Sequence, residues 1–94
     1  MTLRAGPHAF PYVTYDGSSD VLYAAVEPQR RQGSREQTPE QHFLRFDEAG
    51  RFVGVTLVEP RSQLEREGAV YLSLPSGERV RVQGIELELR GAGR

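Results

Sequence analysis

Asp16, Ser18 and Asp20 stand at alternate positions, and Glu27 is the twelfth residue counted from Asp16, the spacing at which oxygen ligands recur around a calcium ion. Such a loop needs glycine at its sixth position for a sharp turn. That position is Val21, and Leu22 to Val26 is β-rich where the backbone would have to curve around the ion. Asp side chains capping a turn account for the same residues without an ion, so no metal is expected. His8 and His42 are the only imidazoles, and neither has a second histidine three to five residues away, so the spacing of a zinc site is absent. With no cysteine there is no thiol nucleophile, disulfide, iron–sulfur cluster or sulfur-ligated zinc. All 12 cations are arginine, which removes chemistry that requires an amine, the Gly-Lys-Ser/Thr phosphate loop and the Schiff base among it. No Gly-x-Ser-x-Gly elbow is present, and a chain of this size seldom encloses a cleft for paired carboxylates. No catalytic residue and no cofactor are therefore expected. Arg30, Arg31 and Arg35 form the one basic concentration. Glu27, Glu36 and Glu40 nearly balance it and no aromatic residue is interleaved to stack a base, so the segment reads as a solvated loop.

The elements that must position these residues come from a chain of 94 residues, enough for a single domain over 1–94. A chain this short buries only about 60–65% of the surface it exposes when unfolded, so association with a second copy would add stability. The formal net charge of −1 gives no long-range attraction for a polyanion, which disfavours nucleic acid as a partner. No apolar run has the length of a spanning helix and the first residues lack a signal-peptide core, so a cytoplasmic protein without a membrane association is expected.

Tyr12 to Tyr15 and Val21 to Val26 are β-rich runs flanking Asp16-Gly17-Ser18-Ser19-Asp20, which reads as a hairpin. Residues 27–38 carry no large apolar side chain to offset the entropy of ordering and are expected to be a mobile loop. Between 39 and 49 two patterns compete. Thr38-Pro39-Glu40-Gln41 resembles a helix start, whereas Leu44 and Phe46 alternate with Arg45 and Asp47 before a turn closing at Gly50. The hairpin is preferred because it opposes Asp47 to Arg51, Phe46 to Phe52, Arg45 to Val53, Leu44 to Gly54 and Phe43 to Val55, with one ionic and one aromatic pair. Phe52 to Val58 is apolar on both faces, the mark of a strand covered on two sides, and the second cover is expected to be another chain. Residues 60–67 read as a short helical segment ending at Gly68. Val70 to Leu74 and Val80 to Val82 flank Pro75-Ser76-Gly77 as a hairpin, with Val70 opposite Val82, Leu72 opposite Val80 and Ser73 opposite Arg79. Ile85, Leu87 and Leu89 alternate with charged residues and read as a last strand after a corner at Gly84. The fold class is mainly β: an antiparallel sheet of about seven short strands in hairpins, curled or sandwich-like, with one helical segment.

The run Tyr15-Asp16-Gly17-Ser18-Ser19-Asp20-Val21-Leu22-Tyr23, followed by Phe46-Asp47-Glu48-Ala49-Gly50-Arg51-Phe52-Val53-Gly54-Val55, resembles the small prokaryotic family catalogued as domain of unknown function twenty-two eighty-three. The resemblance covers roughly 12–64, with 69–90 outside it as an additional C-terminal hairpin and strand. Val55-Thr56 departs from the Ile-Glu of the family's pattern. The resemblance implies an antiparallel β fold, no catalytic residues, and a small stand-alone unit that in some cases pairs with another small protein. Two roles stay open for Tyr15, Asp16, Asp20 and Tyr23: a turn signature, with the acids satisfying backbone donors and the tyrosines packing across the hairpin, or the lining of a binding site. The expected function is a non-catalytic, self-associating interaction module, a homodimer. The rivals are a weak nucleic-acid-binding or regulatory protein using the Arg30–Arg35 loop, and a small hydrolase with a composite site at a dimer interface.

Overall fold

A computed structural model describes residues 1–28 and 33–91 of the chain. Its strands are β1 (Leu3–Ala5), β2 (His8–Phe10), β3 (Tyr12–Asp16), β4 (Val21–Ala25), β5 (Ser34–Gln37), β6 (Phe43–Phe46) and β7 (Phe52–Val58); helix α1 (Pro60–Glu67) precedes β8 (Val70–Ser73) and β9 (Arg79–Gln83), and helix α2 (Glu86–Gly91) follows. All strand pairs are antiparallel, in a four-stranded sheet of order β2-β1-β9-β8 and a five-stranded sheet of order β3-β4-β7-β6-β5. The fold is thus mainly β, as expected, with the strands divided between two sheets. Pro11 alone separates β2 from β3, so the chain changes sheets where proline supplies no ladder donor.

Both sheets turn one face to a common core. Leu3, Ala5, Phe10, Val70, Leu72 and Val82 come from the smaller sheet and Leu22, Ala24, Leu44, Val55 and Leu57 from the larger, joined by Leu64, Ile85 and Leu89 from around the helices. Their alternation with less buried neighbours is the period of two that strand geometry requires. Burial of aliphatic side chains here contributes about 1.5–3 kcal/mol each and is the main term opposing chain entropy.

Three hairpins form where the turn chemistry places them. Tyr12↔Ala25 to Asp16↔Val21 zip the first; Val70↔Val82, Leu72↔Val80 and Ser73↔Arg79 zip the last, in the expected register. The middle hairpin forms in preference to a helix and closes at Gly50, whose φ of 83° is favourable for a residue without Cβ. Its expected register holds next to the turn, where Asp47 and Arg51 share a backbone hydrogen bond and an ion pair (3.0 Å), and at Phe46↔Phe52. A bulge then makes Arg45 oppose Gly54, Leu44 oppose Val55 and Phe43 oppose Thr56, one residue on from the sequence-derived pairing. The extra residue keeps Phe46, Phe52, Leu44 and Val55 all on the core side.

Other expectations need correction. Residues 34–37 of the supposed loop form β5, which pairs residue for residue with β6 by backbone bonds that need no apolar side chain. Arg30 and Arg31 lie outside the described residues. The last apolar run is a helix, because Ile85 and Leu89 are fully buried one helical turn apart while Leu87 is 88% exposed. The corner before it is present, at Gly84 with φ 91°. Among the described residues no helix is long and apolar enough to cross a membrane.

Candidate interaction surface

The Tyr-Asp-x-x-x-Asp signature divides between the two ends of its turn. Asp16 is exposed and accepts hydrogen bonds from the backbone N–H and the hydroxyl of Ser18, at 3.1 and 2.7 Å, which hold its carboxyl below the ordinary range; this is turn chemistry. Asp20 reaches across the fold. Its Oδ1 accepts from the Tyr15 hydroxyl (2.7 Å) and Arg61 N–H (3.0 Å), and its Oδ2 from Ser62 N–H and Oγ–H (both 3.2 Å), while its own carbonyl accepts from Glu59 N–H. Helix α1 begins at Pro60 with no side-chain cap from Glu59, so a carboxylate about forty residues away caps its N-terminus. Burial pushes the Asp20 carboxyl up, but the donors from Tyr15, Arg61 and Ser62 outweigh it and leave it low. The Tyr15 phenol is raised to about 12 by burial and by its bond to Asp20. Tyr15 pairs with Leu22 on the core side, whereas Tyr23 pairs with Thr14 on the outside. The two tyrosines therefore do not pack together across the hairpin.

His42 is not at the rim, as its place beside a strand start implies, but fully buried. Its Nδ1 accepts from Val58 N–H (3.0 Å), so the ring proton is on Nε2, which donates to Gln63 Oε1 (2.9 Å). Burial lowers its pKa below the ordinary imidazole value, against the pull of Gln63 and Glu40. Beside it Glu40 accepts from Ser73 N–H (3.0 Å), Ser73 Oγ–H (2.8 Å) and Arg79 Nε–H (3.2 Å), taking the place of a further strand at the edge of β8. Arg79 also stacks on Tyr71 and reaches Glu67. Glu40, Glu67, Ser73 and Arg79 line a cleft of about 640 Å³ with Pro39, Gln41, Gln63 and Arg66, and its carboxylates are bound by the protein's own donors. His8 instead packs edge-on against Phe52, its ring centroid 4.9 Å away. Sequence reasoning missed this network because its partners are 12 to 39 residues apart.

The outer face of the five-stranded sheet gathers most of what remains. Pairing across the strands sets Thr14, Tyr23, Thr56, Phe43 and Gln37 in one row and Tyr12, Ala25, Gly54, Arg45 and Arg35 in the next, with Asp16, Val21 and Val58 in a third. Tyr12 and Tyr23 are 49% and 47% exposed; with Met1 and Leu87 they are the exposed large hydrophobic side chains among the described residues. Arg35 lies over the Phe43 ring at 4.8 Å, so the described member of the arginine cluster belongs to the sheet. A Cβ on Gly54 would meet the Ala24 carbonyl oxygen at 2.7 Å, so the middle of the face carries no side chain there. A groove of about 120 Å³ results, floored by Ala25 and walled by Tyr12, Tyr23, Glu27, Pro28 and Arg45. Of the signature residues, this face holds Tyr23 and Asp16.

No family model, curated protein or solved structure matches the chain.

Proposed function

We propose that this protein is a small, non-catalytic interaction module that self-associates through the outer face of its five-stranded sheet. The observation that carries the reading is that face itself: Tyr12 and Tyr23, half-exposed, share it with Phe43, Val21, Val58, Ala25 and Thr56, whose inward neighbours already fill the core. Aromatic side chains supply large contact area at low entropic cost, which is why they concentrate in association surfaces. Five strands at ~4.8 Å spacing and five residues at ~3.4 Å give about 400 Å² of flat face. That is below the ~800 Å² per partner of a standard interface, so dissociation at about micromolar concentration is expected.

Sedimentation velocity across the micromolar range tests the proposal. The expected result is a mass moving from monomer to dimer with concentration, and a Tyr23→Glu variant that stays monomeric with an unchanged circular dichroism spectrum. A wild-type chain that is monomeric throughout would overturn it.

A further inference from the structure

Behind the cleft beside α1 and β8, a chain of hydrogen bonds runs in one fixed direction. Val58 N–H donates to His42 Nδ1, which leaves the ring proton on Nε2, and Nε2–H donates to Gln63 Oε1. The Gln63 amide is thereby oriented, its oxygen on the histidine and its NH2 turned away. Gln63 is only 4% exposed, yet its Nε2 has no acceptor among the described residues. No fully buried side-chain nitrogen or oxygen among those residues lacks a partner, so the small exposed part of Gln63 includes this NH2, and the residue lines the cleft. Two N–H donors are held there almost without solvent and without a protein acceptor, an arrangement that favours an incoming oxygen.

The neighbouring groups are unbalanced in the same sense. The Glu40 carboxylate, 6% exposed, is spent on Ser73 and Arg79, and Glu67 accepts from Arg79 Nη2 at 3.4 Å. The donors are not used up. Arg66 stands 3.8 Å from Glu67, beyond hydrogen-bond length, and Arg79 Nη1 has no acceptor among the described residues while the Tyr71 ring, 4.3 Å away, holds the guanidinium in place. What the cleft has left to offer is therefore donors. Its two arginines are matched by two glutamates, so one further negative charge can share Arg66, whereas a dianion would set its second charge against Glu40 and Glu67. A groove of about 230 Å³ continues from the cleft past Pro39 and Ser73, with Leu44, Leu74 and Pro75 in its lining. We propose that the cleft binds a small monocarboxylic acid with an aliphatic tail. The carboxylate oxygens accept from the Gln63 amide and the Arg66 guanidinium, and the tail lies past Pro39 against Leu74 and Pro75. The cleft shares no lining residue with the open sheet face.

Solution NMR of the isotope-labelled full chain, titrated with sodium butanoate at constant ionic strength, tests the site. The expected result is a saturable shift of the Gln63 side-chain NH2 signals with a Kd of about millimolar, the range open to a ligand of few atoms. The backbone amides of Leu74 and Gly77 move with butanoate and stay in place with acetate, which lacks the tail. Butanamide, which lacks the charge, and inorganic phosphate give no saturable shift of the Gln63 NH2. Gln63→Glu keeps an acceptor for His42 Nε2–H but replaces the donor by a like charge, so its circular dichroism spectrum is unchanged and its affinity for butanoate falls at least about tenfold. Arg66→Ala removes a side chain that is 63% exposed, so the variant folds, and it too binds butanoate more weakly. A Gln63 NH2 pair that is unmoved by butanoate, or that responds equally to butanamide or to phosphate, overturns the inference. So does an Arg66→Ala variant that binds butanoate like the wild type, a result that is readable even if Gln63→Glu does not fold.

Discussion

Asp20 holds two distant segments together with one carboxylate, taking donors from Tyr15, Arg61 and Ser62. Removing it leaves the N-terminal N–H groups of α1 without a protein acceptor, and Asp20→Ala should cost about 2 kcal/mol. At this chain length that corresponds to a fall in Tm of about 10 °C, measurable by circular dichroism. Tyr15→Phe should give a smaller fall, since the backbone donors of α1 keep their acceptor. His42 sets the acid limb of stability. Its folded pKa is lowered, so as pH falls the unfolded chain takes up the proton first; stability is full above the unfolded value of about 6.5 and is lost progressively below it. Urea midpoints should therefore fall between pH 7.5 and 5.5, before the Asp and Glu carboxyls contribute. Neither role was legible in the sequence. Asp20 was recognised as a turn residue, but its partners on α1 are 41 and 42 positions on.

At the scale of the elements, local chemistry was most reliable where a turn dictates the pairing. Pro75-Ser76-Gly77 and the Gly50 turn closed as their residue types require, and the last hairpin kept its register throughout. The bulge at Arg45/Phe46 was not legible, because it is set by which side chains must face the core, not by the turn. The segment 85–89 shows the same limit in another form. Positions 85 and 89 lie on one face of a strand and also one turn apart on a helix, so only the environment of Leu87 distinguishes the two. Leu89→Ala should cost about 2–5 kcal/mol in denaturant unfolding, as a buried leucine does. Leu87→Ser should change stability by less than about 0.5 kcal/mol, where a half-buried strand would make all three positions sensitive.

For the whole molecule, the division of nine strands into two sheets leaves one large face without a described covering element. The association proposed above would link stability to concentration: a dimer formed only from folded chains raises Tm as protein concentration rises. Scanning calorimetry over a hundredfold range of concentration should show Tm climbing for the wild type and staying constant for Tyr23→Glu.

By itself the sequence determined the mainly β class, the three hairpins, α1 and the two-faced character of β7, because turn residues and side-chain alternation act over a few positions. Tertiary structure decided which sheet each strand joined, the helical state of 86–91, the burial of His42 and the long-range capping of α1 by Asp20. Those outcomes depend on side chains far apart in the chain competing for one core, and on buried polar groups that must find partners wherever the fold places them.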